Sequence, residues 1–404
     1  MKSVLSAILI LIMLTGFVGG YAAEKPDSQN PVVGFPRPCS PDSWVKQGIV
    51  LEPNQPWEGK YIQNFTSPAE PLGDGRWRIW YGSGSPMSIA VAEGIPGGKM
   101  TKYQVALSKG KPASDAPFAI GNLLEEWRPT QPVHIKLKDG GHRLYFWAHS
   151  PKHHILRYLA ADSSDGRHYR VIDPNRPCIY HFLDRAVEFV GTTPSGLTLT
   201  AKPESYRLKD ELAASPELIT NDATTVYQLP DGSFEMYTAT MLSIKQGDPR
   251  WANNDCPGLI RVIDRLVSKE GLHWSGRQRV LQPDANDPID LQFYYLCVTY
   301  TPQGRVGMLG HYRVKAQTQD LEWCFSPDGV NWIRPFRNRA WLERGWPGES
   351  DSYGIYAGAS LVFDSGRWWL FYTGVNSSHN GKYSYGPPRS VIMLATTNSI
   401  FSAL

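Results

Sequence analysis

The sequence lacks the marks of the common nucleotide, zinc and esterase chemistries. It has no G-x-G-x-x-G ahead of a helix, no Walker sequence, no H-E-x-x-H and no G-x-S-x-G, so those three classes have no support. Cysteine is scarce: Cys39, Cys178, Cys256, Cys297 and Cys324 are odd in number, and none stands in a CxxC or Cys/His spacing that zinc requires. One or two disulfides suit an oxidising compartment, and Cys297 with Cys324, which fall in one repeat, are the first pair to test. Charge is also sparse. Charged residues make up 20% of the 404, too few for a disordered polyelectrolyte, and 41 Lys plus Arg against 38 Asp plus Glu form no basic block for nucleic acid. What is abundant is aromatic and turn-forming: 14 Trp, 20 Tyr, 37 Gly and 32 Pro. That mixture favours many short strands joined by turns, with flat aromatic surface for binding.

The N-terminus has a grammar of its own. Lys2 precedes an apolar run from Val4 to Val18, then Gly19, Gly20, Tyr21, Ala22 and Ala23, which is the pattern of a secretory signal peptide at residues 1–23. The run is shorter than the ~20 apolar residues of a spanning helix, and no later run reaches that length. The expected product is secreted or periplasmic, with no stable membrane anchor after cleavage.

Five segments share one order of strand, glycine turn and aromatic strand: 69–82, 133–149, 224–239, 296–312 and 359–374. Asp-Gly and Ser-Gly supply the positive φ of tight hairpin turns, and the alternation beside them turns one face of each strand inward. A third strand follows each, and the middle copies end in Ser-x-Asp/Glu-Gly-x-x-aromatic, as in SSDGRHY (163–169) and SPDGVNW (326–332). Units of about 70 residues repeated radially give an all-β fold, a five-bladed β-propeller over residues 57–404 behind an N-terminal extension at 24–56. A large β-sandwich, the competing architecture, has no reason to repeat this order five times.

With these hairpins and outer turns, the chain resembles the five-bladed propeller glycoside hydrolases: the arabinanases and xylosidases of family 43, the invertases of family 32 and the levansucrases of family 68. SPDGVNW and FYTGVNSSHN (371–380) are most similar to secreted bacterial family-32-like proteins. The resemblance implies glycoside hydrolysis or transfer in a central funnel, where one carboxyl protonates the leaving oxygen and another acts as base or nucleophile. The chain departs from the pattern. Blade one has Gln63 and Asn64 where an invertase has Asn-Asp-Pro, and blade two has Arg128-Pro129-Thr130-Gln131 where Arg-Asp-Pro stands.

The acids near inner-strand starts are Asp222, Asp290, Asp351 and, as a substitute for the last, Glu349. Each also reads as a turn cap or a solvated loop residue. Ten residues before the turn glycines Gly75, Gly140, Gly232, Gly304 and Gly366 stand Phe65, Thr130, Asp222, Tyr294 and Tyr356, so only blade three presents an acid at that level. Asp222, Asp290 and Asp351 are the expected catalytic residues. Asn64, Arg128, Gln131, His134, Tyr294, His311, Arg313 and Tyr356 are the expected carbohydrate-binding residues, Arg128 and Arg313 through their planar forks. The same histidines and arginines also read as core residues with satisfied bonds. No cofactor is expected, a structural Ca²⁺ is left open, and nothing sets the oligomeric state. Two other readings stand beside the hydrolase: a carbohydrate-binding propeller without catalysis, and a sugar lyase using His and Tyr.

Overall fold

The computed structural model describes residues 35–84, 87–124, 126–193, 196–201, 218–250 and 258–402. The expected signal peptide and Cys256 lie outside them. All the expected hairpins are present, each within an antiparallel meander. In the first, Arg76–Ser83 pairs with Ile62–Gln63, Ala69–Gly73 and Ser88–Gly94, and Met100–Gln104 lies outermost. The second runs Arg128–Lys136, His142–Ser150, Ile155–Ser163 and His168–Val171. The third runs Thr225–Gln228, Phe234–Ser243, Leu259–Ser268 and Ser275–Leu281. The fourth runs Leu291–Thr301, Gly304–Arg313 and Thr318–Ser326. The last runs Gly354–Ala357, Arg367–Val375 and Ser390–Thr397, and Val45–Leu51 completes it from the other end of the chain. A strand of the 24–56 segment is therefore built into the terminal sheet.

Local chemistry sets these elements. At Asp74-Gly75 and Ser365-Gly366 both residues have positive φ, between 50° and 79°, the backbone of a two-residue hairpin turn whose twist matches its strands. The outer Ser-x-Asp/Glu-Gly turns are alike in structure. Ser163, Ser268 and Ser326 each accept the glycine N–H three residues on, at 3.0, 2.8 and 2.8 Å. Asp165 and Asp328 each accept two further backbone N–H groups, which hold both carboxyls well below the usual range despite some burial. Such turns also tie neighbouring sheets: Tyr145 Oη donates to the Gly271 carbonyl at 2.9 Å, and Tyr237 Oη to that of Gly329 at 3.3 Å.

The innermost strands are joined in a closed circuit. Ser67 Oγ donates to the Pro132 carbonyl (2.5 Å) and the Ala223 N–H to Gln131 Oε1 (3.1 Å). Thr225 Oγ1 donates to the Leu296 carbonyl (3.0 Å), the Val298 N–H to that of Ala359 (3.1 Å), and the Ala359 N–H back to that of Ser67 (2.9 Å). Two of these links are backbone to backbone and three run through side chains, so each inner segment is tied to the next.

Cys297 and Cys324, the first pair to test for a disulfide, are both free. Strand Gly304–Arg313 lies between them, with Cys297 opposite Met308 and Cys324 opposite Gly307, and their side chains enter separate apolar clusters.

Candidate functional site

Three inner strands carry a left-handed residue at one common level: Thr66 (φ 60°), Gln131 (φ 49°) and Ala223 (φ 57°). The fourth is bulged between Phe293 and Leu296 at the same level. Non-glycine residues adopt this backbone at a cost, so its recurrence beside the axis marks a place where the surroundings re-aim side chains. Phe65 and Asp222 precede two of these positions, and Tyr294 lies in the bulge; Tyr356 joins them from the regular strand Gly354–Ala357.

These side chains meet. Phe65 packs on Tyr294 and Tyr356 with ring centroids 5.9 and 5.3 Å apart, and Tyr294 lies edge-on to Tyr356 at 5.8 Å. Burial first, and the nearby Asp222 to a smaller degree, push both phenols up and keep them protonated. Gln131 Nε2 approaches Asp222 Oδ2 at 3.4 Å. The Arg261 guanidinium covers the faces of Tyr294 and Tyr312, at 5.0 and 5.4 Å, and donates to Gln292 Oε1 at 2.9 Å. His379 closes the ring, with Nδ1 3.0 Å from Tyr356 Oη and its imidazole against Tyr312 at 4.6 Å. Asp222 keeps part of its surface open yet is recessed among protein atoms. Burial therefore raises its carboxyl pKa, and the charge of Arg261 and the bond from Gln131 offset only part of this rise. A recessed carboxyl with a raised pKa, walled by aromatic rings, can hold a proton for delivery to a sugar oxygen.

Beside Asp222, Asn221 Oδ1 lies 2.9 Å from His181 Nε2, and His181 Nδ1 accepts the Leu183 N–H at 3.1 Å. This pairing fixes Nε2 as the protonated nitrogen. His181 packs on Trp147, and His149 lies in the same buried group. Burial first, then neighbouring positive charge, lowers His149 to about 4; burial lowers His181 to about 3. Both are neutral in the fold and charged in the unfolded chain below pH 6.5. Their stabilisation is therefore full above that value and is lost as pH falls from 6.5 toward 3 to 4. The melting temperature should fall between pH 6.5 and 5, and the double substitution His149→Gln/His181→Gln should flatten that slope.

The other expected site residues lie elsewhere. Asp351 is buried in contact with Lys46 Nζ (2.6 Å), Tyr372 Oη (3.0 Å) and the Gly345 N–H (3.1 Å). Asp290 Oδ2 accepts the Lys315 N–H and its carbonyl that of Val314, which ties off the ends of a hairpin. Glu349 Oε2 accepts the Trp346 N–H. His134 is bonded to Glu70 and lies 3.1 Å from His142, between the first and second meanders. His311 contacts Glu322, and with Arg313 it lines an open cavity of about 570 Å³ whose walls include Asp42, Asp320 and Glu343 but no residue of the aromatic ring. Asn64 is buried at the axis, held by Thr373 on both its N–H and Oδ1, and its Nδ2 has no partner. Arg261 and Tyr312 were not legible in sequence, because they enter from strands outside the counted register; Gln292, two residues before Tyr294 on its strand, was missed because it carries no charge to mark it. Among the described residues no cluster of His, Cys, Asp or Glu is placed to hold a metal ion, and no helix is long and apolar enough to cross a membrane.

The architecture is a propeller-like all-β fold, shared with solved structures of proteins that act on glycans. A structure described as a glycoside hydrolase aligns over 90% of this chain and 95% of its own, with a TM-score of 0.55 and 12% identity. An N-acetylgalactosamine deacetylase from F. plautii, in complex with blood group B trisaccharide, aligns over 88% and 95%, with a TM-score of 0.53 and 14% identity. A β-1,2-mannobiose phosphorylase from Listeria innocua, in complex with β-1,2-mannobiose, aligns over 88% and 96%, with a TM-score of 0.50 and 9% identity. No family model matches the sequence, and no curated protein matches it.

Proposed function

We propose that this chain is an exported enzyme that cleaves glycosidic bonds in an oligo- or polysaccharide, built on a five-bladed propeller of the kind found in families 43, 32 and 68, with Asp222 as the proton donor. The observation that carries the reading is the carboxyl of Asp222, set on the axial circuit of inner strands, raised in pKa and ringed by Tyr294, Tyr356 and Arg261. Five inner segments contribute to that circuit, which supports the blade count, and the signal-like segment 1–23 supports export. Aromatic faces suit stacking against sugar rings, and the glycan-directed proteins sharing the fold are consistent with such a ligand. Because Asp290 and Asp351 are bonded elsewhere, the second role falls to His379, held by Tyr356 Oη in the same ring, as the group that takes a proton from water. No cofactor enters this scheme.

The engagement of Asp290 and Asp351 also favours one alternative, a propeller that binds carbohydrate without cleaving it. Purified mature protein incubated with a glycan panel separates the two. New reducing ends are expected from the enzyme; unsaturated products would point to a lyase instead. Binding to a panel member with no product of either kind would remove the enzyme reading.

A further inference from the structure

Arginines that are not exposed are consistently partnered in this protein. Arg143 meets Asp162, Arg157 meets Asp184, Arg265 and Arg305 meet Glu235, and Arg277 and Arg279 meet Asp264. Arg128 is different. It is half-buried at the start of strand Arg128–Lys136, and among the described residues neither an acid nor an amide or carbonyl oxygen binds its guanidinium. The residue directly across the sheet is His149, which is 4% exposed and whose Nδ1 has no partner. Cross-strand partners share a face, and Trp147, two residues from His149 on its strand, packs against His181. His181 in turn bonds Asn221, and Gln131, on the strand of Arg128, bonds Asp222 and the Ala223 N–H. Arg128 thus stands three residues along the strand from Gln131, about 10 Å at the rise of an extended chain.

Among the described residues no counter-charge meets the half-buried Arg128 cation, and a ligand carboxylate would supply one. A planar guanidinium matches a carboxylate with two parallel bonds, and His149, held neutral by burial and by the positive charge of Arg128, is free to add a neutral hydrogen bond. We infer that the funnel selects an acidic glycan, with the carboxylate of a uronic acid bound by Arg128 and His149 on a sugar next to the one presented to Asp222. This rests on the glycan-directed reading of the site and names its substrate class.

Binding, not turnover, tests it. Uronic-acid trisaccharides of galacturonate, glucuronate and mannuronate are titrated calorimetrically into the Asp222→Asn protein, each against its neutral methyl ester, with sodium sulfate and sodium phosphate as separate arms. At least one acid form should bind about tenfold or more tighter than its ester, the discrimination expected of a bidentate charge-assisted contact. Arg128→Met should erase that preference while ester binding persists, and Arg128→Lys, which keeps the charge and guards against a folding defect, should retain only part of it. Equal affinity for acid and ester, or a preference that survives Arg128→Met, overturns the inference. So does saturation by phosphate or sulfate with no preference among the glycans, which would make this a free-anion site. Because no cleavage is read, an acid preference without turnover in the wild type would sink the hydrolase and leave this inference standing. Cleavage of neutral glycans alone, unaffected by Arg128→Met, would do the reverse.

Discussion

Asp222→Asn is expected to lower turnover on the cleaved glycan by at least ~100-fold, the scale of losing a positioned proton donor. The fold should not suffer. Burial raises the carboxyl pKa of Asp222 above its ordinary 3.8, so ionisation is disfavoured in the folded state. The sign follows: stability is lost as pH rises from 3.8 through the raised value, and a neutral amide of the same shape escapes that loss. At neutral pH the variant should melt at the same temperature as the wild type or higher. The activity profile carries a second signature, because the working form is the protonated one. Wild-type turnover should fall as pH rises through a value above 3.8, and the residual activity of Asp222→Asn should lack that limb. Normal turnover in the variant, with circular dichroism unchanged, would remove Asp222 from the chemistry.

The register that singles out Asp222 was legible because it depends only on local features. Turn glycines fix where each hairpin ends, strand geometry fixes depth per residue, and so Phe65, Asp222, Tyr294 and Tyr356 could be placed at one level by counting. Their contacts across the axis follow from that depth. Thr130 shares the level, yet the strand's left-handed backbone at the next residue turns Gln131 toward Asp222. What counting could not supply is which distant element reaches a given side chain. Lys46, 305 residues from Asp351, takes up that carboxylate from the terminal strand. Arg261 enters the ring from the third strand of its meander, where its sequence reads as ordinary alternation. His134 and His311 both lie on hairpin strands, and both are drawn into charged networks away from the aromatic ring. In each case the deciding contact is long-range, and no turn or periodicity encodes it.

The second of those networks should be the most sensitive point of the whole fold. Arg334 is buried and donates through Nη1 and Nη2 to both oxygens of Asp287, each at 2.8 Å, and through Nε to Glu322 Oε1 at 2.6 Å, while its guanidinium lies over Phe293. His311 and the Asn338 N–H complete the shell of Glu322. Burial alone would raise the Glu322 carboxyl; the neighbouring His311 and Arg334 outweigh it and bring it down to about 2. Glu322 therefore contributes stability that is full above its unfolded value of 4.5 and is lost as pH falls toward 2. Arg334→Met leaves Asp287 with only the more distant Arg337 (3.6 Å) and Glu322 with His311, and removing one side of a buried ion network costs ~3–5 kcal/mol. Urea unfolding at pH 7 should show that loss. The triple substitution Arg334→Met/Glu322→Gln/Asp287→Asn should recover a large part of it, since the penalty comes from stranded charge more than from the bonds removed. A loss below about 1 kcal/mol for Arg334→Met would show that the carboxylates relax to solvent or take up protons, and that the network is not what holds the fourth meander to the loop bearing Arg334.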